Sequence, residues 1–159
     1  MTSPTIRARI PVLIARRRRS AGAWSSESAS WPARTTFTSD DVWVDGLSLA
    51  AVAASGETPI VVTGRTKGCV LLVHVDVVVP RLGRTPRQVW VDADLSHGAV
   101  RVEHARALGH HTDRLARWAV RSAYRESGHD PVRLPEDLGW GDVVAVPCLA
   151  DLTVSDVAL

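Results

Sequence analysis

The chain has almost no lysine: Lys67 stands alone against eighteen arginines. A bias this complete reads as the mark of a GC-rich genome, so the choice of arginine over lysine carries no functional information. Cysteine is also scarce. Cys69 and Cys148 are the only two in 159 residues, which excludes a disulfide framework. Both sit in apolar, strand-like runs and read as buried thiols of a reducing compartment. Aromatic residues are few, and six of the eight are tryptophan. No apolar run approaches the roughly 20 residues of a membrane-spanning helix. The arginine run Arg16–Arg19 follows the apolar stretch Ile6–Ala15 instead of preceding it, the wrong order for a secretory signal. An organelle transit peptide is compatible with this arginine-rich, acid-poor composition and with nothing else here. The expected location is therefore cytoplasmic or particle-associated. There is no Gly-x-Ser-x-Gly elbow and there are no internal repeats. In Gly64-Arg65-Thr66-Lys67-Gly68 the lysine precedes the second glycine, which does not match a phosphate-binding P-loop and reads as a hairpin loop.

What is present fits one ordinary core. The apolar fraction is 45%, that of a globular protein. Charge is unevenly distributed. Residues 1–38 hold seven arginines and one glutamate, a net of +6; residues 39–159 hold twelve basic and sixteen acidic groups, a net of −4. The chain thus divides into a basic Arg/Ser-rich arm, 1–38, and a single domain, 39–159.

The domain is organised around a β-hairpin, 69–95. Its first strand reads CVLLVHVDVVV. Positions Cys69, Leu71, Val73, Val75, Val77 and Val79 form one apolar face of period two. Pro80 ends the run, and Pro80, Gly83 and Pro86 supply turn chemistry. In the second strand Val89, Val91, Ala93 and Leu95 share a face. Pairing the two apolar faces sets Val77 opposite Val91 and Val75 opposite Ala93. Asp76 then faces Asp92, and His74 faces Asp94.

Val42–Val44 reads as a short strand, Asp45-Gly46 as a turn and Leu47–Ser55 as a helix stopped at Gly56. Pro59–Thr63 and Asp142–Cys148 read as strands. Thr112 is a good N-cap, and Leu115, Trp118, Ala119 and Ser122 make a helical stripe. The spacing predicts a principal helix over 113–127, packed on the hairpin's apolar face. Leu149–Val157 reads as a final edge strand. The expected fold class is α+β: a mainly antiparallel sheet with one principal helix on one face, plus the N-terminal basic arm.

Two constellations could carry chemistry. His74, Asp76, Asp92 and Asp94 offer hard oxygen donors suited to magnesium or manganese, which could activate water against a phosphodiester. The plainer alternative is the wet face of an amphipathic sheet. His104, His110 and His111 lie near the expected helix, but no two histidines have the i, i+4 spacing of a helical zinc site. They read as boundary histidines.

The leading expectation is a non-catalytic interaction or assembly protein without a cofactor, for example a subunit of a phage or bacterial particle. Its arm, through Arg7, Arg9, Arg16, Arg17, Arg18, Arg19, Trp24 and Trp31, would contact a protein partner or a second copy. One alternative is a metal-dependent phosphoesterase or nuclease working through the acidic patch. The other is a nucleic-acid-binding protein without catalysis.

Overall fold

The computed structural model describes residues 28–122 and 130–159. They form ten strands, two short helices and one 3-10 turn. A three-stranded meander comes first: β1 (Thr35–Phe37), β2 (Val42–Val44) and β3 (Leu47–Ser48). It runs directly into helix α1 (Leu49–Ser55), followed by β4 (Ile60–Thr63), β5 (Cys69–Val79) and β6 (Arg87–Val91). The 3-10 turn Val102–His104 leads to β7 (Arg106–Ala107), β8 (Leu115–Ser122), β9 (Val132–Pro135), β10 (Val143–Cys148) and helix α2 (Val154–Val157).

The larger sheet has the order β7-β10-β5-β6-β8-β9, with β4 added along β5. Its outer strands β7 and β9 approach each other, so the sheet curls into a nearly closed barrel. Pairing is antiparallel except between β6 and β8. A parallel pair needs a long crossover. Residues 92–114 supply it and deposit β7 on the far side of β10 along the way.

β5 is the spine. Its β-branched residues favour extended backbone, and Cys69–Val73 and Val75 are all buried. The odd positions Cys69, Leu71, Val73 and Val75 fill the barrel with Val89, Val91, Trp118, Val120, Val144 and Val146. The even positions Val70 and Leu72 are buried too, on the outside, beneath Trp31, Val42, Val44 and Leu49. A strand covered on both faces reads as a continuous apolar run, and each fully buried Val or Leu contributes about 1.5–3 kcal/mol. The covering layer is the meander with α1. Asp41 joins them: its Oδ1 accepts the Ala50 N–H at 2.9 Å, and its Oδ2 accepts the Ser48 hydroxyl at 2.5 Å.

The expected α+β arrangement is overturned, because the fold is mostly β and its helices are short. The predicted helix 113–127 is strand β8 as far as Ser122, and 123–127 lie outside the described residues. Trp118, Val120 and Ser122 point inward with period two, while Leu115 and Arg117 are exposed. LARWAVRS is a good helix former by local propensity. Pairing with β6 on one edge and β9 on the other outweighs that preference. Among the described residues no long helix covers the hairpin's apolar face; the curled sheet covers it mainly with its own strands.

The last segment is also corrected. In place of an edge strand, Val154–Val157 forms α2, held by a capping box between Thr153 and Asp156. Leu152 and Val157 from this segment enter the barrel core. The basic segment 1–38 divides as well. Arg7, Arg9, Arg16, Arg17, Arg18, Arg19 and Trp24 lie outside the described residues. Trp31, expected to face a partner, is instead 5% exposed and packs edge-to-face on Phe37 at 5.2 Å. Among the described residues no helix is long and apolar enough to cross a membrane.

Candidate functional site

The hairpin register is shifted from the expected one, by one residue at Val77 and by two at Val75, with a bulge between them. Val75 pairs with Val91, Val77 with Trp90 and Val78 with Val89, and the shift falls between Val75 and Val77. A bulge bends and twists a strand, which suits a small barrel. It also separates the acidic residues. His74 Nδ1 lies 2.8 Å from Asp76 Oδ1, and the His74 ring meets Trp140 edge-to-face. Asp92 turns inward along the strand edge: Oδ1 accepts the His74 backbone N–H at 2.7 Å, and Oδ2 accepts the Thr58 hydroxyl at 2.5 Å. Asp94 Oδ1 accepts the Ser96 N–H, and the Asp94 N–H donates to Val157 O. Of the four predicted metal donors, only His74 and Asp76 meet side chain to side chain. Among the described residues no three His, Cys, Asp or Glu side chains converge as a cation would require.

The histidines after the 3-10 turn sit on no helix. His110 is clamped between two carboxylates, with Nδ1 3.0 Å from Asp137 and Nε2 3.0 Å from Asp142. Asp142 Oδ2 also accepts the Gly139 N–H at 2.7 Å. The clamp ties the 137–142 loop to the segment after β7. Beside it, between β7, β9 and the β1–β2 turn, lies a cleft of about 590 Å³ lined by residues of both charges, including Asp41, Glu103, Arg106 and Arg133. Arg106 stacks on Phe37, 4.2 Å above the ring.

A second depression, about 370 Å³, carries charge of one sign. Arg81 and Arg84 come from the β5–β6 loop, Arg87 from the start of β6 and Arg117 from β8; Pro86, Ala116 and Pro131 complete the lining. Among the described residues no acidic side chain lines it. The loop is tightened by a bridge between Leu82 and Thr85, and Leu82 is exposed at its tip. Gly83, at φ +58, makes the reversal between them. Arg81 Nε donates to Gly83 O at 3.1 Å. Arg87 is held by Glu136, through its carbonyl at 2.8 Å and its carboxylate at 3.3 Å, and lies 5.5 Å above the Trp118 ring. Arg81, Arg84 and Arg117 form no ion pair among the described residues. Arg117 is moreover the register partner of Arg133, and both are exposed. Like charges directly opposite on a sheet repel.

This pocket has no counterpart among the sequence-based expectations. PRLGRTPR reads as turn chemistry, although three arginines in eight residues are visible in it. Arg117 falls on the expected helix, which removes it from the loop's neighbourhood. No family model matches the chain, and no curated protein matches it.

Proposed function

We propose that this chain is a non-catalytic interaction protein that assembles onto an anionic partner surface. The observation that carries this reading is the arginine pocket, with Arg81, Arg84, Arg87 and Arg117 around one depression and, among the described residues, no carboxylate in its lining. Guanidinium groups form paired, charge-assisted hydrogen bonds with carboxylate and phosphate oxygens. The basic N-terminal segment adds charge of the same sign and serves as a second contact. A field of one sign also speeds the encounter with an oppositely charged partner. Support for the metal-dependent phosphoesterase reading is weaker, because Asp92 already uses both its oxygens on His74 and Thr58.

The test is salt-dependent binding of the full-length protein to two probes, a labelled DNA duplex and a polyglutamate peptide. Removing Arg84 and Arg117 together is expected to weaken binding about a hundredfold or more, at roughly 1.5–3 kcal/mol per charged hydrogen bond. For DNA the slope of log affinity on log salt should fall by about 0.9 for each phosphate that the variant no longer neutralises. Affinity for DNA alone would select the nucleic-acid reading; affinity for both probes fits a partner recognised by charge. Unchanged binding in the Arg84→Ala/Arg117→Ala variant would overturn the assignment of the pocket. Light scattering of nuclease-treated protein at moderate and high salt reads whether the partner is a second copy.

A further inference from the structure

Cys69 and Cys148 are the chain's only cysteines, and the fold makes them partners. Cys69 is the first residue of β5 and Cys148 the last of β10, and they are directly opposite in the antiparallel register. The Val75 N–H donates to Asp142 O. Counting down the ladder by twos puts Cys69 and Cys148 in a hydrogen-bonded pair, with Cα atoms about 5.5 Å apart. That spacing falls inside the range that disulfides span. Both side chains point into the same barrel core and are essentially unexposed.

We propose that Cys69 and Cys148 form a dithiol site that a hydroperoxide converts to an intramolecular disulfide, tying β5 to β10. The two thiols are not equivalent. In the reduced protein the Cys69 S–H points to Ala150 O at 3.4 Å and the Cys148 S–H to Val146 O at 3.7 Å. When Cys69 loses its proton, the Cys148 S–H donates to it. That hydrogen bond brings the Cys69 thiol down to about 7 against the opposing effect of burial. The same hydrogen bond, together with burial, drives the Cys148 thiol upward. Cys69 is therefore the nucleophile and Cys148 the resolving thiol.

The Cys69 thiolate attacks one peroxide oxygen; an S–O bond forms, the O–O bond breaks, and the departing oxygen leaves as water or alcohol after protonation. Cys148 then attacks the Cys69 sulfenic sulfur; the S–S bond forms, the S–O bond breaks, and the hydroxyl leaves as water with the Cys148 proton. Two thiols lose two hydrogens and two electrons, and one peroxide accepts them. The pair lies at the end of the barrel where the β4–β5 loop meets the segment after β10, the Gly68 N–H donating to Asp151 Oδ1 at 2.9 Å. Gly68 sits there at φ +103, with Cys148 O only 2.9 Å from where its Cβ would be.

The experiment uses the full-length reduced protein treated with stoichiometric hydrogen peroxide in native buffer, then denatured, alkylated and weighed intact. The expected result is a loss of both alkylatable thiols, a mass lower by two hydrogens, and one crosslinked peptide containing Cys69 and Cys148. A Cys148→Ser variant should stop at a sulfenic acid on Cys69, trapped by a cyclic dione. Two alkylatable thiols after treatment, a mass gained by added oxygen in the wild type, or a crosslink between chains would each overturn the proposal. The wild-type measurement stands even if the variant fails to fold.

Discussion

Asp92 grips the backbone of His74 from both sides of its own peptide. Its carboxylate Oδ1 accepts the His74 N–H at 2.7 Å, and its own N–H donates to His74 O at 3.2 Å. The other carboxylate oxygen takes the Thr58 hydroxyl just before β4. β4 runs beside Cys69–Leu72, and β6 pairs from Val75 onward. Asp92 therefore fills the junction between two strands that share one edge of β5. It supplies the hydrogen bonds that neither strand can make at His74.

Asp92→Ala should leave the His74 N–H and the Thr58 hydroxyl unmatched in a half-buried place. The expected loss is about 3 kcal/mol or more, from two charge-assisted hydrogen bonds and their desolvated partners. Asp92→Asn keeps one acceptor oxygen and should lose less. Urea denaturation of the three proteins reads both values. An Asp92→Ala protein as stable as wild type would remove the junction role.

Trp31 tests whether the basic segment contributes to the folded body. Its ring is buried against Val42, Val44, Leu49 and Leu72. Trp31→Ala should cost about 3–5 kcal/mol, as emptying a large aromatic site usually does. Trp31→Phe retains most of the packing and should cost less than about 1.5 kcal/mol. A residue serving only as a partner contact would change binding and leave the denaturation midpoint alone, so the midpoint decides the matter.

Asp156 gives a pH dependence with a definite sign. The Thr153 backbone N–H and hydroxyl both donate to its carboxylate, at 2.7 and 2.9 Å, and hold it below the ordinary carboxylate range. A lowered carboxyl binds its proton less readily in the folded chain. Its contribution is therefore present above the ordinary carboxylate pKa and fades as pH falls through the lowered value. Acidification should loosen α2, and hydrogen exchange at Asp94, whose N–H donates to Val157 O, should speed up. Asp156→Asn should flatten that acid response at Asp94. Equal acid sensitivity in the variant and the wild type would show that the capping box does not control it.

Several elements were legible in the chain because their signals are local. β5 has the predicted bounds, 69–79, since a β-branched run between Gly68 and Pro80 has one extended reading. The Asp45-Gly46 turn, the short helix before Gly56, the β4–β5 hairpin and the β10 strand came from similar punctuation. The residues of the arginine pocket were equally present in the sequence. Their meeting was not, because Arg117 reaches the β5–β6 loop only once β8 is laid parallel to β6.

Residue order therefore sufficed for where many of the strands and turns begin, for which face of β5 is apolar as far as Val75, and for the basic segment on an acidic body; beyond the bulge Val77, expected on that face, is exposed. Local backbone sterics and side-chain periodicity are enough for these. The assembled sheet was needed to make LARWAVRS a strand, to cover Val70 and Leu72 from outside, and to place Asp76 at a bulge. It was needed equally to set Cys69 opposite Cys148. These depend on which strand borders which, and strand pairing is chosen by the total burial of the closed sheet, a quantity no short window of sequence contains.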